Sequence, residues 1–482
     1  MKKVLVLGAG HVTKPLVDYL IETCGYQVTM ASPRVEKSRK IIAGRPLGFC
    51  VRWKSDFGEA LDRLISTHDI VVNMIPKSYH VNVAKACLKH RKSMVTTSYE
   101  IPAIKALDAE ARERGILILN ELGEDPGMDH FTTQMLLKDI QTAGGRVVSL
   151  RSYGSGLPSF EFNNNPFGYK FSWEPKGVFL AAQVPAVYLL EGKRIQVAGN
   201  ELFDGHWLVD IDGLGTFETY PNKDCTRYLK HFGLPEDVTF YRGLLRFSGY
   251  CNNMRGLMTL DLLNDRDKFD LEGWTRRRFT ASLIDRDPTA DLEHEIARHL
   301  KIDGNADMIN RLRWLGFFED RPLPIQQGSR LDVLVALMLL KMQYAPGETD
   351  MTIIHVETIA EFYDRREMRT ATMVAHGTPY GESAMSRAVG LPPAIATRLI
   401  FEGRIKAKGV HMPPTLPDLH EPFLKELADH GFTFRRQTKQ LKNTVSLKEI
   451  TVPGLTAPAA ERPSPARSKS SSAESALADA PK

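Results

Sequence analysis

Gly8 and Gly10 follow the branched apolar run Val4-Leu-Val-Leu7 directly, and helical spacing carries on through Leu20. A buried strand that breaks into a glycine turn and then a helix makes a cradle for a pyrophosphate. The first glycine permits the tight turn, and the second lets the backbone approach an anion lying on the helix N-terminus. Gly8, Gly10, His11 and Val12 are therefore candidate dinucleotide contacts, with Thr13 where a third glycine is usual. The alternative is a purely structural turn. The next strand pattern, Gln27-Val-Thr-Met-Ala-Ser32, ends without the acid that accepts from a ribose 2′-hydroxyl. Ser32 and Arg34 stand there instead, and no acid occurs before Glu36. A hydroxyl and a guanidinium suit a 2′-phosphate, so NADP(H) is favoured over NAD(H), unless Arg34 is a solvated loop residue.

These groups need a sheet to hold them. Asp69-Ile-Val-Val-Asn-Met-Ile75, Ser93-Met-Val-Thr-Thr97 and Gly115-Ile-Leu-Ile-Leu119 read as further buried strands, with helical stretches at 57–66 and 80–90. Strands alternating with helices imply a parallel sheet covered on both faces. Ligands of such sheets bind at the carboxyl ends of strands. Ile75-Pro76-Lys77, Ser98-Tyr99 and Asp125-Pro126, the last just past a fifth strand, become site candidates. Farther on, Arg242 and Arg246 lie four residues apart on a strand pattern. That spacing puts both on one face, where they could hold carboxylates bidentately or simply be surface cations.

A chain of 482 residues exceeds one ordinary core, so two or three domains are expected. No apolar run approaches the roughly 20 residues that span a bilayer. The first strand pattern begins close to the N-terminus, so no signal peptide is expected. The five cysteines are scattered without Cys-x-x-Cys spacing, as expected of reduced thiols in a cytoplasmic protein. A formal charge of +5 with no basic stripe gives nucleic-acid binding no support. No His/Cys/Asp cluster has metal-ligand spacing in the sequence, so no metal is expected.

The expected fold class is α/β: an N-terminal Rossmann-like parallel sheet, then a mixed α/β substrate domain carrying a small all-helical insertion. The boundaries read as 1–130 for the dinucleotide domain, with two small-residue helices around 380–402 packing back against it. Short, closely spaced strand patterns place the substrate domain at 131–264 and 346–450. The helical insertion is 265–345. Residues 451–482, rich in Ala, Ser and Pro, cannot bury enough surface to offset chain entropy and are expected to be a disordered tail.

Several words together resemble one family, the saccharopine dehydrogenases, and within it the glutamate-forming saccharopine reductases. They are Gly8-Ala-Gly10, Ile75-Pro76 with His80, Val95-Thr-Thr-Ser-Tyr99 and Asn120-Glu-Leu-Gly-Glu-Asp-Pro-Gly-Met-Asp-His130. Asn164-Asn-Pro-Phe-Gly-Tyr-Lys-Phe-Ser-Trp173, Val197-Ala-Gly199, Tyr220-Pro-Asn-Lys-Asp224, Arg242-Gly-Leu-Leu-Arg246 and Trp314-Leu-Gly316 follow in the family's order. The resemblance implies hydride transfer at a C–N bond: glutamate and 2-aminoadipate semialdehyde condense to an imine that NADPH reduces to saccharopine, or the reverse. It implies small amino-acid substrates and a common homodimer.

The same resemblance makes Asp125 a contact of the substrate amino group. It makes Ser98 and Tyr99 substrate and cofactor contacts, with Pro126 beside the cofactor. Asp125 and Tyr99 are thus the expected catalytic pair. Arg242, Arg246 and Lys223 are expected at substrate carboxylates, Lys223 standing where the family has an arginine. Asp129-His130 is read as a pair of helix-end hydrogen bonders before it is read as a general base. A second departure is Gly154-Ser-Gly-Leu-Pro-Ser-Phe-Glu161, where the family often carries Cys-Gly-Gly-Leu-Pro-Ala-Pro-Glu. With Lys223, it keeps open a reductase for another C–N linked amino acid or a carboxylated polyamine. A non-catalytic NADP-binding redox sensor is the remaining alternative.

Overall fold

The run Val4 to Leu7 is fully buried, as a parallel strand covered by helices on both faces requires. The computed structural model describes residues 1–172 and 174–442. Strands are numbered here in chain order. The first six are β1 (Lys3–Leu7), β2 (Gln27–Ser32), β3 (Gly48–Arg52), β4 (Ile70–Asn73), β5 (Ser93–Thr96) and β6 (Leu117–Leu119). Next come β7 (Arg146–Pro158), β8 (Ala186–Leu190), β9 (Lys193–Val197), β10 (Trp207–Ile211), β11 (Gly215–Pro221) and β12 (Thr239–Arg246). A two-residue ribbon pairs β13 (Phe269–Asp270) with β14 (Gln327–Gly328). The last are β15 (Asp350–Glu361), β16 (Arg366–His376), β17 (Gly409–His411) and β18 (Arg435–Leu441).

One sheet runs β17-β6-β5-β4-β1-β2-β3, with every pair parallel. The other runs β10-β11-β12-β7-β15-β16-β18, with β8 on β12 and β9 on β8. It is mixed because β12 pairs parallel with β7 while its other neighbours are antiparallel. The architecture is therefore α/β, with a Rossmann-like parallel sheet and a mixed sheet. Between β12 and β15 lie the helices Tyr250–Thr259, Arg276–Leu283, Leu292–Leu300, Asp307–Leu315 and Arg330–Leu339, interrupted only by the short ribbon. Among the described residues no helix is long and apolar enough to cross a membrane. The expected tail at 451–482 lies outside the described residues.

Three sequence expectations need correction. The two small-residue helices are one helix, Ala384–Phe401, with Pro392 and Pro393 inside it. Burial overrides the local cost of proline here, since residues 390 to 397 are all buried. Second, β3 was hidden by its edge position, where Phe49 stays 48% exposed and the pattern loses its apolar signature. Asp125 consequently follows the sixth strand of the chain, not the fifth. Third, β17 joins the N-terminal sheet beside β6, although its sequence lies in the stretch assigned to the substrate domain.

The helix Ala384–Phe401 binds the two sheets together. Asp350 at the start of β15 accepts from the Ala384 and Met385 amides at 2.6 and 2.9 Å, closing the helix N-terminus. At the other contact, a Cβ on Gly390 would lie 2.6 Å from the Val12 carbonyl oxygen. Only glycine lets this helix touch the backbone behind the glycine turn.

The core of the mixed sheet also holds a titrating group. His355 on β15 is 5% exposed, accepts or donates with Thr372 Oγ1 at 2.8 Å, and stacks on Tyr153. Burial pushes its imidazole down to about 4, with Arg435 adding to the effect. Above about pH 6.5 both folded and unfolded chains keep it neutral. Between there and pH 4 only the unfolded chain binds the proton, so acid should remove roughly 3 kcal/mol of stability. His355→Gln should flatten that loss in urea midpoints measured at pH 7 and pH 5. An equally steep loss in the variant would place the acid sensitivity elsewhere.

Candidate functional site

The dinucleotide end of the site is a backbone construction at the carboxyl edge of β1, β2 and β4. Gly8 has φ +111° and donates its amide to the Ala31 carbonyl at 2.9 Å. A Cβ there would lie 3.0 Å from the Met74 carbonyl oxygen. Glycine is thus needed for the turn and for close approach to the end of β4. Thr13 explains the missing third glycine. Its hydroxyl accepts from the Gly10 amide at 3.1 Å and is fully buried, so it braces the turn from inside. Gly10 and His11 face solvent, with Val12 half-buried beside them.

Ser32 is buried and its Oγ accepts from the Arg34 amide at 3.2 Å. The Arg34 side chain is exposed, and among the described residues it has no ion-pair or hydrogen-bond partner. A free guanidinium next to a fixed hydroxyl is what a 2′-phosphate would use. The Ile75-Pro76 turn is held from below: His80 is buried and its Nε2–H donates to the Ile75 carbonyl at 2.8 Å.

The second group of candidate residues comes from the loops after β5, β6 and β11 and from β12. Arg242 donates its Nε and Nη2 to Asp129 Oδ2 at 3.1 and 2.6 Å, and its Nη2 also to Asp125 Oδ1. All three side chains are at most 4% exposed. One guanidinium serving two carboxylates cannot favour both charges equally. Asp129 also accepts from the Gly127 amide at 2.7 Å. Against burial, which works upward, Arg242 and His130 hold Asp129 below the usual carboxylate range. Burial pushes Asp125 above it, with Arg242 opposing. Burial and the two nearby aspartates push Glu124 up to about 8, while Thr352 Oγ1 donates to it at 3.1 Å.

Asp125 is followed by cis Pro126 and packs against Gly154 on β7. A Cβ at residue 154 would stand 2.6 Å from Asp125 Oδ2 and 2.8 Å from its Cβ. Asp125 thus fills the space that any side chain at 154 would need. Lys223 has φ +58°, and its Nζ lies 3.4 Å from the centre of the Tyr99 ring. The Tyr99 hydroxyl accepts from Asn222 Nδ2 at 3.5 Å. Burial lowers the Lys223 amine to about 8, Asp125 working against it. Ser98 is half-buried, and its carbonyl accepts from the Glu121 amide at 3.0 Å. Pro126 is buried, its carbonyl accepting from the Gly123 amide at 2.8 Å.

The structure therefore brings Tyr99, Asp125, Lys223 and Arg242 into one cluster. Arg246 occupies a different setting on the same strand. Its Nη2 donates to the Tyr220 hydroxyl and its Nη1 to Ser155 Oγ, each at 3.2 Å. The Tyr250, Tyr169 and Tyr220 rings surround it at 5.0, 5.5 and 5.7 Å.

Three cluster members escaped the residue-by-residue reading. Glu121 has φ +61° and is fully buried. It accepts from His130 Nε2 at 3.0 Å and from the Tyr228 hydroxyl at 2.9 Å. Asp129 Oδ2 lies 3.6 Å from His130 Nδ1, so His130 is clamped between two acids. Glu121, Glu124 and Tyr228 carry no spacing signal. The only available clue was that both glutamates belong to the long word ending at His130. Elsewhere, His206, Glu218 and Cys251 place one ligand-type atom each within 4.8 Å of one another. Both Glu218 oxygens already accept from the Gly249 and Cys251 amides, at 2.6 and 2.8 Å, which makes it a helix cap.

Comparison with known proteins decides the family. Residues 4–119 match the model of the saccharopine dehydrogenase NADP binding domain, and residues 123–432 that of the saccharopine dehydrogenase C-terminal domain. The chain belongs to the saccharopine dehydrogenase family. The saccharopine dehydrogenase [NADP(+), L-glutamate-forming] of Pyricularia oryzae is 33% identical over 438 residues, covering 89% of this chain and 97% of that one. The mitochondrial alpha-aminoadipic semialdehyde synthase of Bos taurus is 34% identical over 91% of this chain but only 48% of its own length. The apo saccharopine dehydrogenase (L-Glu forming) of Saccharomyces cerevisiae superposes with a TM-score of 0.81 at 31% identity, over 91% of this chain and all of that one. The two family models meet between β6 and Asp125, so the candidate cluster lies on the seam that joins them.

Proposed function

We infer that the chain is an NADP(H)-dependent saccharopine dehydrogenase of the L-glutamate-forming type, interconverting saccharopine with glutamate and 2-aminoadipate 6-semialdehyde. The observation that carries this reading is the cluster on the seam. A cation–carboxylate assembly of Arg242, Asp125 and Lys223 faces the same sheet edge as the glycine turn. The substrate is a polycarboxylate with amino groups. Its amino group can pair with Asp125 while a carboxylate takes Arg242, which exchanges one internal ion pair for two intermolecular ones. Lys223 and Arg246 supply further cationic charge, and Ser98 and Tyr99 form the wall beside the nicotinamide.

Bound NADP(H) supplies the hydride chemistry, and the residues that fit it are the Gly8–Val12 turn, Ser32, Arg34, Ile75 and Pro76, with Ser98 and Pro126 at the nicotinamide end. The protein's task is positioning and charge placement. The test is the initial rate with saccharopine and NADP⁺ or NAD⁺, followed at the nicotinamide absorbance. Turnover releasing glutamate with preference for NADP⁺ is expected. Arg34→Asp should weaken NADPH far more than NADH, and equal losses would remove the 2′-phosphate contact.

A second reading, a reductase for another C–N linked amino acid or a carboxylated polyamine, is favoured by one arrangement. Lys223 and the Asp125–Gly154 contact reshape the pocket where the family resemblance has an arginine and a cysteine. Tight NADPH binding without saccharopine turnover would support it. We place the protein in the cytoplasm, supported by five cysteines that are all free, and propose a homodimer on the resemblance alone. Sedimentation of the full chain tests the dimer.

A further inference from the structure

The amine of Lys223 is set apart from every other cation in the cluster. Arg242 is saturated by two carboxylates, whereas among the described residues Lys223 has no ion pair and no side-chain hydrogen bond. Its Nζ rests on the face of Tyr99, and its backbone is held in the left-handed region by the pairing of its carbonyl with the Val187 amide at 3.0 Å. A non-glycine residue at φ +58° points to a side chain whose direction is fixed by its surroundings. Asp125 is less available for proton exchange. It is wedged between Arg242 and the Gly154 backbone, and its side chain is 4% exposed.

We propose that Lys223 is the proton-transfer group of the reaction, taking the proton from the substrate's secondary ammonium before oxidation and returning it after reduction. The proposal rests on the reading of the site as a saccharopine dehydrogenase and gives Lys223 a role beyond binding a carboxylate. The step balances simply. The neutral lysine amine takes one proton from the R₂NH₂⁺ nitrogen and becomes ammonium, leaving a lone pair on that nitrogen. As hydride leaves the adjacent carbon for the nicotinamide, that lone pair forms the C=N bond. Lys223 then gives its proton to solvent, which is the net proton of the oxidation.

Several groups set the amine's proton affinity. Burial lowers it, Arg242 on β12 and Lys77 after β4 lower it further, and Asp125 and Glu121 after β6 raise it. The Tyr99 face also favours the cation, which keeps both forms within reach near neutral pH. With the amine near 8, oxidation should accelerate as pH rises through about 8, where the base form appears. Reduction should slow over the same range.

Lys223→Arg separates the roles, because arginine keeps the charge and does not titrate in this range. The expected result is a KM for saccharopine within a few-fold of the parent and a kcat lowered by about 10²–10⁴-fold, with the limb near pH 8 gone. Lys223→Met should show the same kcat loss together with a raised KM. NADPH fluorescence titration of both variants controls for folding. A Lys223→Arg protein with parental kcat and an intact limb overturns the proposal and leaves Lys223 as a carboxylate anchor. Lost saccharopine affinity at unchanged kcat overturns it too. If the unmodified protein does not turn over saccharopine, the parent reading falls and takes this one with it.

Discussion

Arg242→Met is expected to destabilise the folded protein by about 3–5 kcal/mol at pH 7, the usual cost of leaving a buried charge without its partner. The variant would retain Asp125 and Asp129, both nearly solvent-free and left without the guanidinium they share. Relative to the parent, this variant should regain stability as pH falls. Without the guanidinium both carboxyls take protons more readily in the folded chain than in the unfolded one, so acid favours folding until both states are protonated. Arg242→Met with Asp129→Asn should recover part of the loss at pH 7, because it removes the charge with the most fixed geometry. Urea midpoints for the three proteins at pH 7 and pH 5 decide the matter. A single variant as stable as the parent would mean that solvent or a neighbouring cation reaches the two aspartates.

Asp125→Ala should behave oppositely, with a normal fold and little activity. Asp129 keeps Arg242 through two hydrogen bonds at 3.1 and 2.6 Å, so the buried charges still balance when Asp125 is removed. No carbon chain beyond Cβ is needed to hold the Gly154 contact. In the proposed role of Asp125, however, the substrate amino group would lose the carboxylate that orients it. A misplacement of about 1 Å at the reacting centre costs on the order of 10²-fold, and a lost ion pair adds to that. Turnover with saccharopine and NADP⁺ should therefore fall by about 10²-fold or more, while NADPH titration gives the parental affinity. Retained turnover would transfer the amino-group contact to another acid, with Asp129, which shares Arg242, the first candidate.

The two variants show why the sequence was readable in some places and silent in others. The parallel sheet was legible because Val4 to Leu7 and Ile70 to Val72 are buried on both faces and are apolar throughout. The edge strand β3 has no such obligation, and β17 is too short to carry a period. The helix through Pro392 and Pro393 defeated a local rule because tertiary burial outweighed it. At the candidate site, residues on strand ends could be named from the sequence because topology alone places ligands there. Glu121 and Tyr228 were not, since their roles come from a left-handed backbone at Glu121 and from a ring 107 positions away in sequence. The Gly154 departure was visible as a missing side chain. Its meaning, that Asp125 occupies the vacated space, needed three dimensions.

The strand β17 also sets a timetable for the molecule's birth. Leu117, Ile118 and Leu119 present an apolar parallel edge as soon as they leave the ribosome, and the segment that covers it is Gly409–His411. Synthesis proceeds at roughly 5–20 residues per second, so the intervening stretch of roughly 290 residues takes on the order of 15 to 60 seconds. Throughout that interval the nascent dinucleotide domain carries an unpaired rim of backbone amides and carbonyls, the kind of surface that recruits a neighbouring chain. The growing polypeptide must cross that window with its first domain still open on one side.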